Sequence, residues 1–306
     1  MVKYIVILAG FCFGLNSFSQ EKATTESGKR VLLYKDGTWK ENFEFILDCT
    51  PVILKQPSFS GQTLKKKSKL KQRIHLVESE RNSITDDDDW FYKYQLRLKE
   101  HVVPAKHSKQ RSIIPLKSPR SFQGAELVRM MYDDNYTYFV YAEGLYVGRY
   151  LVVMNSSIDS VAYCFDFKNY ISNNNFIKED RSYVNQSIQW AQIEEGILYV
   201  QHNHRTYASS SNNENAYITA IDLKTNEIIW RTNPLVANAQ NFLIDEEFIV
   251  CGYGFTKEKD YLITIDKKTG AVIEKYLLKT GPEYIIFKDG QYYVRCYDTN
   301  YVFEIR

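Results

Sequence analysis

Short apolar runs bounded by polar turns recur through the second half of the chain, and their length and alternation predict strands rather than helices. The stretch 241–276 holds one complete copy of the recurring unit. Its four predicted strands are Asn241-Phe-Leu-Ile-Asp245, Phe248-Ile-Val-Cys-Gly-Tyr253, Tyr261-Leu-Ile-Thr-Ile-Asp266 and Ala271-Val-Ile-Glu-Lys-Tyr276. They are joined by Asp245-Glu246-Glu247, by a polar loop from Phe255 to Asp260, and by Lys267-Lys-Thr-Gly270.

The unit repeats on both sides. Turns at Asp133-Asp134-Asn135, Glu194-Glu195-Gly196, Asp245-Glu246-Glu247 and Asp289-Gly290 each precede an apolar strand. A third strand then ends at Asp166, Asp222, Asp266 and Arg306, so the pattern recurs every 40 to 56 residues. Four strands at that period are the pattern of propeller blades. The expected fold is therefore all-β, a β-propeller of about four to five four-stranded blades with an irregular N-terminal extension. The last unit has only three strands, and an open sheet edge invites aggregation, so an earlier segment is expected to supply the fourth. Arg111–Leu116 and Trp90–Leu98 are the candidates for it. An incomplete ring finished by another subunit is the alternative. Because Tyr34–Trp39 mirrors Phe287–Tyr292, the N-terminal region is a candidate fifth, degenerate blade.

Two units carry a longer phrase. Ala220-Ile-Asp222-Leu-Lys-Thr225-Asn226-Glu-Ile-Ile-Trp230 and Thr264-Ile-Asp266-Lys-Lys-Thr269-Gly270-Ala-Val-Ile-Glu274 resemble the A-x-D-x-x-T-G-x-x-x-W repeat of quinoprotein-like β-propellers, with Glu274 in place of the second Trp. Locally, Asp would cap the turn, Asn226 or Gly270 would supply a left-handed residue, and Trp230 would pack between blades. The resemblance implies a fold shared by pyrroloquinoline-quinone dehydrogenases and non-catalytic scaffolds. It does not extend to the cofactor, since no adjacent Cys pair and no Glu/Asn/Asp calcium set are visible; no cofactor is expected.

Upstream, Lys3 followed by the apolar run Tyr4–Leu15 and the small residues around Ser17-Phe18-Ser19 predicts a cleaved signal peptide over 1–19, which puts the protein in the periplasm, on the outer membrane or outside the cell. No later stretch is long and apolar enough to span a membrane as a helix. Residues 20–121 read as an extension with short strands and a charged linker, and 122–306 as the repeats. The Asp36-Gly37 turn sits in a short "DGTW" segment that resembles one found after the signal in exported proteins of Bacteroidetes-type bacteria. Between the basic run Lys65–Arg73 and the acidic run Asp86–Asp89, Ile74–Val77 is a candidate strand.

Composition excludes little. A net charge of +2 argues against nucleic acid as partner, while 24 tyrosines favour ordered strands. Of five cysteines, Cys12 leaves with the signal. Cys49, Cys164, Cys251 and Cys296 allow three disulfide connectivities that spacing does not separate, and Cys251 and Cys296, on similar strands, are expected to be buried and unpaired.

Candidate chemistry is sparse. His202 and His204, two apart on a predicted strand, face one side and are the candidate metal ligands, against solvated residues at a strand end. Asp86–Asp89 lacks calcium-loop spacing and reads as a solvated run in extended chain. The basic run reads as a linker. Tyr136, Tyr138, Tyr141, Tyr292 and Tyr293 suggest sugar stacking or, more simply, alternation between blade core and exterior. No nucleophile or phosphate-binding motif is present. The expected function is an exported, non-catalytic propeller that binds a protein or ligand through loops of unequal length, notably 167–187 and 203–216. The alternatives are an enzyme acting on polysaccharide at the channel mouth and a cell-envelope assembly scaffold.

Overall fold

The computed structural model of the protein describes residues 21–25, 30–34, 36–41, 47–55, 67–81, 87–96, 100–102, 117–143, 148–171, 180 and 183–306. The expected signal segment and the Arg111–Leu116 candidate strand lie outside the described residues.

Before the repeats come β1 (Glu21–Thr24), β2 (Arg30–Leu33), β3 (Trp39–Glu41), β4 (Val52–Ile53), β5 (Ile74–Arg81), helix α1 (Asp87–Lys93), β6 (Glu100–Val102) and β7 (Ser121–Phe122). The first blade follows as β8 (Ala125–Tyr132), β9 (Tyr136–Ala142), β10 (Gly148–Asn155) and β11 (Val161–Asp166), and leads into the one-turn helix α2 (Lys168–Ile171). The second is β12 (Ser187–Glu194), β13 (Ile197–Asn203), β14 (Tyr217–Asp222) and β15 (Glu227–Arg231). The third is β16 (Leu243–Ile244), β17 (Phe248–Tyr253), β18 (Asp260–Asp266) and β19 (Val272–Leu278), and the fourth is β20 (Pro282–Lys288), β21 (Gln291–Cys296) and β22 (Thr299–Ile305) completed by β5. Every blade is an antiparallel meander, and in the first β6, β7 and β4 are added at the edges. The all-β propeller expectation holds, with four blades among the described residues.

The two-fold alternation of side chains explains why the sheets stack radially. On the third blade, Ile249, Cys251, Ile263 and Ile265 enter the core shared with the first two blades. Their neighbours Val250 and Leu262 point the other way, into a core with Ile285, Val294 and Phe303 of the fourth. A strand buried on both faces needs apolar residues at successive positions, and β17 is buried from end to end. The two outermost faces of the array are covered by N-terminal segments. Trp90, Phe91 and Tyr94 of α1 and its following turn lie on Tyr284, Ile286 and Tyr293 of the fourth blade. Phe122, Leu47 and Cys49 pack with Met130, Phe139 and Cys164 on the first.

Turn chemistry follows the sequence. The Asp289-Gly290 loop has positive φ at both residues, 51° and 80°, the mirror-image turn that suits strand twist. Asp222 Oδ1 accepts from the backbone of Lys224 and Thr225 at 2.8 and 3.0 Å, and Asp266 Oδ1 from Lys268 and Thr269 at 2.9 and 3.0 Å. The same phrase thus builds the same turn twice.

Five expectations are corrected. Trp90–Leu98 is not a strand: α1 and a turn occupy its described part, because Trp90, Phe91 and Tyr94 fall on one helical side and bury together. Asp87–Asp89 begins that helix rather than lying extended, consistent with acidic residues at a helix N-terminus. The closing strand is β5, paired antiparallel to β22 from Thr299↔Arg81 to Ile305↔Ile74. Val161–Asp166 is the fourth strand of its blade, with Gly148–Asn155 as the third, so the third strands end at Asn155, Asp222, Asp266 and Ile305. Tyr34–Trp39 lies in a separate three-stranded sheet, β1-β2-β3, rather than a four-stranded blade. Among the described residues, no helix is long and apolar enough to cross a membrane.

Candidate functional site

In a four-stranded meander, the first-to-second and third-to-fourth turns share one end, and the second-to-third loops share the other with the links between blades. Here the first end carries only short turns such as 195–196, 223–226, 267–271 and 289–290. Among the described residues of the repeats, the second carries the long segments: 167–171 and 183–186, 204–216, 232–242 and 254–259. The two loops expected to elaborate one face do lie together on it. Ser210 Oγ donates to Asp180 Oδ2, and Gln186 Nε2 donates to the Glu214 carbonyl at 3.1 Å. The next blade joins through Glu258, which accepts from the Ala208 N–H at 2.8 Å and from the Tyr253 hydroxyl, and through an edge contact between Tyr207 and Phe255 at 5.0 Å.

A cleft of about 900 Å³ opens among these loops. Its lining includes four amides, Gln189 on β12, Asn203 at the end of β13, and Asn238 and Gln240 on the 232–242 link, together with His204, Phe255, Lys279 and Tyr297. The lining is built rigidly. Buried Arg129 donates to the Gln189 carbonyl at 2.6 Å and to the Gln240 carbonyl and Oε1 at 3.1 and 2.9 Å, tying the first blade to the second and to the link that enters the third. Gln240 N–H donates to the Glu283 carbonyl at 2.7 Å, which adds the fourth blade. Asn238 clamps Gly254, giving its Nδ2 to the carbonyl at 2.8 Å and taking the N–H at 2.9 Å.

Two groups in the cleft have polar atoms without partners. Asn203 is only 3% exposed, and its Nδ2 has no hydrogen-bond acceptor. Asp260 Oδ1 is likewise unpartnered, held against Gly254 and Gly281 so closely that a β-carbon on Gly254 would come within 2.2 Å of it. Burial, aided by the charges of Glu258 and Asp298, pushes the Asp260 carboxyl up to about 6 against the opposing N–H of Phe255. The neighbouring carboxylates are engaged. Asp298 accepts from Thr280 and Thr299 hydroxyls at 2.8 and 2.9 Å, which hold it below the usual range, and Glu283 pairs with Arg295 at 3.3 Å. Tyr297, 79% exposed, offers a ring at the rim.

The residues singled out by sequence go to other places. His202 is fully buried in an aromatic niche, stacked on Tyr170 at 5.1 Å and beside Phe167, with no partner for Nε2. Burial and the nearby Arg231 guanidinium, which lies 3.5 Å over the Tyr217 ring, hold its pKa well below the usual histidine value. His204 bonds Ser211 Oγ through Nε2 at 2.7 Å, and burial lowers its pKa to about 4. The two rings therefore have different partners, both neutral near pH 7, and among the described residues no three His, Cys, Asp or Glu side chains cluster as metal ligands. Tyr138, Tyr141 and Tyr292 are buried, and Tyr293 packs on Tyr94. In the basic run, Ser68 bonds Asp266 at 2.6 Å and Arg73 meets Glu274 at 3.3 Å, so its described part lies along the third blade. Asn203, Asp260 and Tyr297 were not foreseen: they come from three blades, and only loop length pointed to their face.

No family model and no curated protein matches the chain. Among solved structures it is similar to the computationally designed Ika4 protein, at 10% identity and a TM-score of 0.36 over 56% of this chain and 87% of that one. It is similar to BamB from Moraxella catarrhalis at 10% identity and 0.32, over 59% of this chain and 61% of that one. It is also similar to the Bacteroides ovatus Xyloglucan PUL GH43B protein at 13% identity and 0.36, over 54% of this chain and 34% of that one. The aligned part spans less than two thirds of the length of the last two.

Proposed function

We propose that this is an exported, non-catalytic β-propeller that holds a polar ligand, or a polar segment of a partner protein, in the cleft of its long-loop face. The observation that carries the reading is the unpartnered Nδ2 of buried Asn203 in the cleft lining, because a buried amide without a partner costs free energy that a ligand carbonyl or hydroxyl would recover. The surrounding Gln and Asn amides supply further donor and acceptor pairs, and Tyr297 supplies an exposed flat ring. Asp260 favours the rival reading, since a carboxyl near 6 is poised for proton transfer. An enzyme acting on polysaccharide would need a second free carboxylate beside it, and Glu258, Glu283 and Asp298 are each occupied. A scaffold role in envelope assembly would use the same face.

The test is binding of the full chain to arrayed polysaccharides and peptides, with Tyr297→Ala and Asn203→Leu variants. Binding weakened at least tenfold by both, with no product released, supports the reading. Turnover abolished by Asp260→Asn would establish the enzyme instead.

A further inference from the structure

We infer that Cys49 and Cys164 form a disulfide that fastens the 47–55 segment to the outer edge of the first blade. Beyond Cys164, β4 runs parallel to β11, with Val52 opposite Phe165 and Ile53 opposite Asp166. The Leu54 N–H donates to the Asp166 carbonyl at 3.2 Å, Asn169 Nδ2 donates to the Leu54 carbonyl at 2.9 Å, and Leu54 itself is 2% exposed. Cys49, three residues before Val52, packs with Leu47 against the cluster of the first blade that contains Cys164. Cys164 belongs to that core and Cys49 packs against it, near enough that each thiol is a cause of the other's shifted titration. The other two cysteines are in separate places: Cys251 Sγ approaches the Ile263 carbonyl at 3.6 Å in the core shared by blades one to three, and Cys296 lies between blades three and four. Of the three pairings open to four cysteines, contact selects one bond and leaves two buried thiols.

The segment needs such a fastener. A two-residue parallel strand supplies few hydrogen bonds and is too short to hold a chain by itself. Cys49 is half-buried and Cys164 buried, which sets the order of the exchange. The Cys49 thiolate attacks one sulfur of an external disulfide, such as oxidised glutathione, and releases one thiol. The Cys164 thiolate then attacks the Cys49 sulfur of the mixed disulfide and releases the second. Two protein thiols are oxidised, one external disulfide is reduced, and each cysteine proton ends on a released thiol. The inference rests on the contact and is independent of the cleft; the proposed export would bring the chain to an oxidising compartment.

The full chain is equilibrated with oxidised and reduced glutathione, alkylated, and mapped by mass spectrometry without reduction. A peptide linking Cys49 to Cys164 is expected, with Cys251 and Cys296 alkylated only after unfolding. Because the bond closes a loop of roughly a hundred residues, Tm should stand roughly 5 to 10 °C above that of the dithiothreitol-treated protein. Cys49→Ser, at the half-exposed position, should remove this redox dependence while leaving the reduced Tm unchanged. Absence of the linked peptide, a link to Cys251 or Cys296, or a Tm indifferent to reduction overturns the inference.

Discussion

The indole of Trp230, on the last strand of the second blade, lies against Gly270 in a turn of the third. A β-carbon on Gly270 would come within 2.5 Å of the ring, and Trp230 Nε1 donates to the Lys267 carbonyl at 3.2 Å. One contact therefore serves as both turn and blade-to-blade joint. Gly270, at φ 71°, has two reasons to be glycine, whereas Gly290, at φ 80°, has open space around it. Gly270→Ala is expected to cost about 2–4 kcal/mol, combining backbone strain with displacement of the indole, and Gly290→Ala about 1 kcal/mol from backbone alone. Urea denaturation of both variants checks the difference; equal losses would mean that the joint is not tight.

Closure of the fourth blade depends on β5, whose partner β22 is otherwise an unpaired edge near the C-terminus. Glu274 helps seat it, accepting from the Ile74 N–H at 2.6 Å. A chain beginning after Arg81 is expected to self-associate by size-exclusion chromatography, and a peptide covering 72–82 to restore the monomeric elution when added in excess. A monodisperse truncated chain unaffected by the peptide would show that β5 is dispensable.

Acid should act on the fold in two opposite directions. The Asp260 carboxyl is raised from 3.8 to about 6, so the folded state holds its proton more tightly and stability falls as pH rises from about 4 to 6. His204 is lowered from 6.5 to about 4, so its contribution is present above 6.5 and lost as pH falls towards 4. In urea midpoints measured from pH 4 to 8, Asp260→Asn should be more stable than the parent at pH 7 and the two should converge towards pH 4. His204→Gln should lose less stability than the parent on acidification. The unchanged pH profile of either variant would contradict the burial assigned to that side chain.

The neutral, separately occupied histidines also lead to an expected outcome with metal. Titrating the full chain with Zn²⁺ should leave Tm unchanged within about 1 °C at metal concentrations up to tenfold excess, because a ligand that stabilises must bind the folded form. A concentration-dependent rise lost in His202→Phe would instead make that niche a metal site.

Blades two and three were legible because each keeps its turn phrase, Asp222 to Trp230 and Asp266 to Gly270, and because their strands alternate around two cores. Gly148–Asn155 went unseen although it is buried along most of its length, because the repeat pattern assigns Val161–Asp166 as the third strand in its place. Strand β5 carries the opposite problem. Its first half, Ile74–Val77, was legible as a strand, but β5 is exposed at most positions, and its pairing with β22 is a matter of backbone rather than side chains. The Trp90–Tyr94 aromatics suit a strand by propensity, and tertiary burial against Tyr284 and Tyr293 decided for a helix. The cleft was readable only as unequal loops, because Asn203, Asp260 and Tyr297 meet through blade geometry that no local pattern encodes.

The most direct test of the long-loop face as the binding surface is hydrogen exchange on the intact chain, with and without a ligand identified on the arrays. The account predicts slowed exchange in 203–216, 254–260 and 279–283, with the opposite turns 223–226 and 267–270 unchanged. Protection confined to those turns, or spread along the outer strands, would contradict it.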